Sequence, residues 1–399
     1  MNGTRARRLA ALLALAAAAL CGAPAHAAPG DPAPAGDAFY VPPSPLPDGK
    51  PGDVIRWRPS KAGPPTARGL ADAWQVMYLS TDGLGRPDAV TGTVLVPKSA
   101  DRATAPIVGF APGTSGPAFR CAPSKFIDQG AFYEQPAIND MLRAGYAVAA
   151  TDYEGYHPDP KTTYMTGRSM GPALMDAVRA AQRLPAAGLS ADAEVAFRGY
   201  SQGGGASMWA GEMQPTYAPE LKLAGVVGGG VPADLVQVAL PLNGKRGSGF
   251  LFDAMIGLDN AYPELALDSY LKDAGRTAFA DLNANACTLE LLTQYSGKLI
   301  TPYMTKSPFS DPAWQARVTE NRLGGSPIKV PVLHYHGTKD DIVAIGQDRT
   351  LRGKYCALGV QDTWTTYDVD HITGVARGNA DALAFIADRF AGKAPTPNC

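Results

Sequence analysis

Apolar residues along this chain recur with two different periods. Short continuous or alternating runs sit at Trp74–Ser80, Ala89–Val96, Pro106–Phe110, Tyr146–Thr151, Glu194–Arg198, Leu223–Gly229, Val330–His336 and Thr363–Val369. Runs of this length, bounded by Gly, Pro and Asp, predict β-strands. The first two are joined by Thr81-Asp82-Gly83-Leu84-Gly85-Arg86-Pro87, a hairpin signal. Stretches with helical spacing, such as Met170–Leu184 and Asp381–Phe390, separate several of the others. Eight strands, the first two antiparallel and the rest in βα alternation, predict an α/β fold whose mostly parallel sheet carries helices on both faces. No internal repeat points to a solenoid or propeller.

Two intervals break this rhythm. Ala28–Ser60 holds nine prolines and no apolar periodicity, and reads as a Pro-rich extension on the surface reaching to about residue 70, with the folded domain over 71–399. The second interval is Pro232–Pro327. Two βαβ units need roughly 60 residues, and the chain between Ser201 and Asp340 is far longer than that. Most of the excess lies in the helix-like segments Gly249–Leu258, Glu264–Ala274 and Thr277–Leu292. They predict a helical cap inserted at about 234–326, over the carboxyl ends of the strands. Gly249–Leu258 carries Phe250, Leu251, Phe252, Met255, Ile256 and Leu258, apolar around most of its circumference. Such a helix is buried on more than one side or faces an apolar ligand.

Composition narrows the class. At 399 residues, 45% hydrophobic and 18% charged, the chain is globular. Lys+Arg 36 against Asp+Glu 37 leaves a net charge of −1 with no basic stripe, which excludes nucleic acid as the main partner. Arg5, Arg7 and Arg8, the Ala/Leu run Leu9–Leu20 and the small-x-small Ala25-His26-Ala27 predict a signal peptide cleaved near Ala27, hence a secreted protein, extracellular or periplasmic. That run is too short for a transmembrane segment, which needs about 18–20 apolar residues. Cys121, Cys287, Cys356 and Cys399 remain after cleavage. An even number in an oxidising compartment predicts two disulfides, with three pairings open. No Cys/His cluster has zinc spacing; His334 and His336 would share one face of a strand. No metal is expected.

Gly199-Tyr200-Ser201-Gln202-Gly203 carries the strongest chemical signal: G-x-S-x-G after a strand and before a helix-capable segment. A nucleophile elbow demands this context, because a serine at a strained backbone angle needs neighbours without side chains. Such a serine needs a base, and the base an orienting carboxylate, in chain order Ser, acid, His. His26 leaves with the leader, His157 precedes Ser201, and His334 and His336 precede any acid that follows their strand. His371, in the loop after the last strand, is the remaining base. His336-Gly337-Thr338-Lys339-Asp340-Asp341 offers two carboxylates. Asp340 is preferred for the acid, with Asp341 the alternative. The oxyanion needs two N–H donors: Gln202 supplies one, and the loop Ala111-Pro112-Gly113-Thr114-Ser115-Gly116 the other, through Thr114 or Ser115.

From Trp74 to Cys399 the chain resembles the secretory lipases, α/β-hydrolases of yeasts and bacteria. The resemblance rests on Gly-Tyr-Ser201-Gln-Gly, on Gly113-Thr114-Ser115 running into Cys121-Ala122-Pro123-Ser124, and on Asp152-Tyr153-Glu154-Gly155. His336-Gly337-Thr338-x-Asp340, His371 and Cys399 complete it. It implies a helical cap between Ser and Asp, and disulfides Cys121–Cys287 and Cys356–Cys399. It also implies a serine hydrolase acting on carboxylic esters, triacylglycerols among them, through an acyl-enzyme, with no cofactor and with transient contact at a lipid interface. A serine peptidase of the prolyl-oligopeptidase type shares the elbow but usually brings a propeller. An acyltransferase differs only in the acceptor. A binding protein on the same fold typically lacks a triad member, and here all three can be assigned.

Overall fold

The computed structural model describes residues 33–399; the expected signal peptide and its cleavage site lie outside them. Nine strands form one sheet: β1 (Val54–Ser60), β2 (Ala71–Thr81), β3 (Pro87–Pro97), β4 (Ile107–Ala111), β5 (Ala147–Thr151), β6 (Glu194–Tyr200), β7 (Lys222–Gly229), β8 (Val332–Gly337) and β9 (Asp362–Tyr367). The helices are α1 (Pro123–Gln129), α2 (Gln135–Arg143), α3 (Gly167–Arg183), α4 (Gln202–Tyr217), α5 (Leu235–Leu242), α6 (Ser248–Ala261), α7 (Asp273–Asn285), α8 (Thr288–Thr293), α9 (Pro312–Glu320), α10 (Ile345–Ala357), α11 (His371–Arg377) and α12 (Asn379–Phe390). The sheet order is β1-β2-β3-β5-β4-β6-β7-β8-β9. Pairing is antiparallel from β1 to β3 and between β3 and β5, and parallel from there on.

The β2–β3 hairpin closes as its turn residues require. The Asp82 carboxylate accepts the N–H groups of Leu84 (2.9 Å) and Arg86 (2.8 Å), adding to the backbone bonds from Asp82 N–H to the Arg86 carbonyl (2.9 Å) and from Gly85 N–H to the Asp82 carbonyl (3.0 Å). β4 (IVGFA) and β5 (AVAAT) are buried at every position, as central parallel strands covered on both faces must be. Met170, Leu174 and Val178 of α3 and Met208 of α4 cover one face. Ile127 of α1, Ile138 and Met141 of α2 and Ile386 of α12 cover the other.

The sheet has nine strands, not the expected eight. The extra one, β1, lies in the Pro-rich segment, where Arg56, Arg58 and Pro59 hide any apolar alternation. An edge strand pairs on one side only and tolerates proline, so its sequence need not look like a strand. Upstream of it, Phe39 and Tyr40 are buried against Ala122 and Tyr156. Two helical expectations also change. Glu264–Ala274 is broken into 3₁₀ turns because Pro263 and Ala266, at φ 48°, interrupt any α-helix before Asp273. Thr277–Leu292 is two helices, because Cys287 is extended between α7 and α8.

Helices α5 to α9 all fall between β7 and β8. They enclose an apolar cluster of their own, including Leu251, Phe252, Leu258, Leu282 and Trp314, which takes in Ile342 and Val343 from the loop after β8. The segment between α7 and α8 is bound to the loop after β4. Cys121 is bonded to Cys287, Thr288 N–H donates to the Ser115 carbonyl (3.0 Å), and Arg120 pairs with Glu290 (2.9 Å). Cys356 is bonded to the terminal Cys399. The Cys121–Cys287 link closes a loop of sequence separation 166, for which chain entropy gives an upper figure of about 5 kcal/mol. Cys121→Ser should therefore lower the thermal unfolding midpoint clearly, and more than Cys399→Ser, whose loop separation is 43; scanning calorimetry of both variants checks the order.

Candidate active site

Ser201 stands at the turn between β6 and α4 with φ 58° and ψ −120°, a conformation that side chains resist. The chain reaches it because both neighbours two residues away are glycine. A Cβ on Gly203 would overlap the Ala111 carbonyl oxygen, and one on Gly199 the Gly203 carbonyl. The turn is held by Ser201 N–H donating to the Gly229 carbonyl (2.8 Å) and Gly205 N–H donating to that of Ser201 (3.0 Å). Gln202 opens α4, so its N–H sits among the unpaired donors at the positive end of the helix.

His371 is the first residue of α11, whose N-cap Asp370 accepts the Thr373 N–H (2.8 Å). Its Nε2 lies 2.9 Å from Ser201 Oγ and its Nδ1 2.7 Å from Asp340 Oδ2. The acceptor-only carboxylate fixes the proton on Nδ1, leaving Nε2 to accept from the serine hydroxyl. Tyr200 packs its ring against the imidazole at 5.1 Å and donates its hydroxyl to the His371 carbonyl (2.8 Å). Asp340 Oδ1 accepts the N–H groups of Ile342 (3.0 Å) and Val343 (2.7 Å). Burial opposes the Asp340 charge, but donation from His336 and His371 outweighs it and holds the carboxyl far below the usual range. Asp341 points away and pairs with Arg246 at 3.0 Å; it does not cap α10, whose N-cap is Ala344. Of the two candidate acids, Asp340 is the one in contact with His371.

Thr114 is buried in the loop after β4, its hydroxyl 2.8 Å from that of Tyr164. Ser115 is buried too, and its hydroxyl has no partner among the described residues. Three side chains to which the sequence assigns no role shape this loop. Glu134 accepts the Gly113 N–H at 2.7 Å; burial pushes its carboxyl up to about 7. Tyr153 and Tyr156 donate their hydroxyls to the carbonyls of Pro112 (2.7 Å) and Gly116 (2.7 Å). Asp152 accepts the Ser124 N–H (2.6 Å) and hydroxyl (2.5 Å) and the Thr91 hydroxyl (2.7 Å), tying Cys-Ala-Pro-Ser to the sheet. Tyr153 and Asp152 lie in the quoted Asp-Tyr-Glu-Gly segment. Glu134 sits before α2 with no motif around it, and only its burial beside Gly113 reveals it.

Ser201 opens into a cavity whose walls are almost wholly apolar. Leu235 and Val238 of α5, Phe250, Met255 and Leu258 of α6, and Ile342 supply much of the lining. The cap helix with hydrophobic residues around its circumference thus turns one side to the cap's own core and the other to this space. The site consists of a serine with an imidazole and a carboxylate in line, the glycine-containing loop after β4, and an apolar cavity.

Comparison with known proteins places this geometry. The family model for secretory lipases matches residues 123–398. The chain is 32% identical to lipase 2 of Candida albicans, over 91% of this chain and 82% of that one. It is 29% identical to a secreted triacylglycerol lipase of Malassezia furfur, over 91% of this chain and 77% of the other. Among solved structures, Candida antarctica lipase A in its closed state superposes with a TM-score of 0.83 at 25% identity, covering 92% of this chain and 89% of that one. The chain belongs to the secretory lipase family, secreted ester hydrolases with the α/β-hydrolase fold.

Proposed function

We propose that this enzyme cleaves acylglycerol esters by an acyl-enzyme mechanism, with Ser201 as nucleophile, His371 as base and Asp340 as its orienting acid. The observation that carries the reading is the in-line Ser201–His371–Asp340 contact opening into the apolar cavity. Ser201 Oγ attacks the ester carbonyl as its proton passes to His371 Nε2. The N–H of Gln202 and that of Thr114 or Ser115 receive the oxyanion, and His371 returns the proton to the departing alcohol. Water then repeats the sequence on the acyl-enzyme. The acyl chain takes the apolar cavity, where burial yields roughly 0.8 kcal/mol per methylene. The relatives' secretion and the Arg-flanked Ala/Leu run support a leader removed after Ala27, ahead of an extension over 28–70 and a hydrolase domain with its cap at about 234–326. A protein of this kind meets its substrate transiently at a lipid surface.

Ser201→Ala should lose about 10⁴- to 10⁶-fold in kcat while folding normally. A loss of only a few-fold against p-nitrophenyl esters would remove the nucleophile assignment. Asp340→Asn should lose about 10⁴-fold, through the wrong imidazole tautomer, and Asp341→Asn only a few-fold; the reverse ranking in the same assay would transfer the role. Ala254→Trp, which fills cavity lined by α6, should lower kcat/KM for a long-chain ester by about tenfold or more relative to a short one. An unchanged ratio across a chain-length panel would place the acyl group elsewhere, and turnover of peptide amides above esters would replace the substrate class.

A further inference from the structure

Behind the proposed triad the structure continues as a chain of alternating carboxylates and imidazoles. Asp340 Oδ2, which faces His371, also lies 3.2 Å from Nε2 of His336. His336 Nδ1 is 2.5 Å from Asp348 Oδ2, and Asp348 Oδ1 is 2.7 Å from Nε2 of His334. His334 Nδ1 then faces Asp362 Oδ2 at 3.4 Å. His334, His336, Asp348 and Asp362 are all fully buried. Strand alternation puts the two histidines on one face of β8, and Asp348 reaches between them from the first turn of α10.

Counting protons fixes the state of His336. Its Nε2 faces two groups that can only accept, the Val343 carbonyl at 2.8 Å and the Asp340 carboxylate, so Nε2 carries a hydrogen. The Nδ1 contact with Asp348 needs a second proton. An imidazole, with an ordinary value of about 6.5, outcompetes a carboxylate at about 3.9 for it. Burial alone would discharge His336, but Asp348 and Asp340 outweigh burial and push it up to about 10. The pair of histidines in turn holds Asp348 below the ordinary range against its burial. The other ionisable groups nearby are Asp370 and Tyr200 beside His371, Arg246 paired with Asp341 from the cap, and Glu212 with Tyr355 behind Asp348.

We propose that His336, locked by Asp348, is a positioning residue for the catalytic acid: a buried imidazolium that keeps Asp340 anionic and aimed at His371. Asp340 then has three donors, two backbone N–H groups on Oδ1 and His371 on Oδ2, with the His336 imidazolium 3.2 Å behind Oδ2 as its counter-charge. The positive ring competes with His371 for the same carboxylate oxygen, at 3.2 Å against 2.7 Å. This inference rests on the triad reading given above.

Asp348→Asn tests it with little change of shape. The amide can donate to His336 Nδ1 and accept from His334 Nε2, so packing and hydrogen bonds persist while His336 loses its charge. His336→Gln removes the same charge and keeps an N–H toward Asp340. In both variants the acid limb of kcat/KM should move to higher pH by about one unit, with KM nearly unchanged. Stability supplies a second readout. His336 titrates above its unfolded value of about 6.5, so its contribution is complete below that pH and fades as pH rises through about 10. That dependence should flatten in Asp348→Asn. Reduced stability with the acid limb in its original place overturns the proposal, provided Ser201 is still labelled by a fluorophosphonate; ester turnover by Ser201→Ala would instead overturn the triad reading beneath it. Should neither variant fold, histidine ¹⁵N shifts of the unaltered protein at about pH 8 decide: a doubly protonated His336 ring supports the proposal and a neutral ring overturns it.

Discussion

The close approach of three backbone segments at Ser201 is the constraint around which the rest of the structure is arranged. The serine can hold its positive φ only because Gly199, the last but one residue of β6, and Gly203, the second of α4, carry no side chain; the Ala111 carbonyl lies directly against Gly203. That contact fixes the end of β4 relative to the elbow, and so fixes where the loop after β4 begins. The N-terminus of α4 and the Gly113–Gly116 loop are thereby brought to the same point without any side chain having to reach across. A methyl group at either glycine would separate them. Electrostatic catalysis in general depends on donors already in place when charge develops, and the backbone packing holds the start of α4 and this loop in fixed positions.

Buried carboxylates hold what the glycines bring together. Each has a cost of desolvation, and each meets it by collecting donors. Asp152 takes three hydrogen bonds that fasten Cys-Ala-Pro-Ser to β3 and β5. Glu134 takes the amide of Gly113, and Asp340 takes two amides and the His371 imidazole, with His336 beside it at 3.2 Å. Removing one partner from such a cluster costs more than the pair is worth in isolation, because a charge or polar group is left stranded. The polar framework therefore acts as a rigid mount for the site and contributes specificity of geometry ahead of raw stability.

How much of this was legible in the sequence follows from how local each signal is. The elbow, the hairpin at Asp82 and the buried parallel strands are specified within a few residues, so pattern and turn chemistry reveal them. His371 and Asp340 emerge by chain order once Ser201 is fixed. β1 does not emerge, because an edge strand with two arginines and a proline satisfies no period. Glu134, Tyr153 and His336 act through partners far away in sequence, and no spacing rule marks such pairs. His334-x-His336 did signal a shared face on β8. What filled that face was Asp348, twelve residues on from His336 in a helix whose own pattern says only that the position is buried.

The helices inserted between β7 and β8 are tied to the site by one disulfide and by several polar and apolar contacts. The segment between α7 and α8 carries Cys287 and Thr288, and both engage the loop that begins at Gly113: Cys287 through the disulfide, Thr288 through the carbonyls of Ser115 and Thr114. From the same insertion, α5 and α6 wall the apolar cavity, and Ile342 and Val343, whose amides hold Asp340, pack into the cap cluster. A movement of the inserted helices is therefore felt at both ends of the site, at the loop after β4 and at Asp340. An enzyme with a rigid site and an independent lid could open without disturbing either. In this fold α6 stacks Phe252 on Phe279 of α7 at 5.2 Å, and its Ser248 hydroxyl donates to the Tyr295 carbonyl beyond α8 (2.6 Å), so the helices that wall the cavity and the segment bound to the loop are packed as one body.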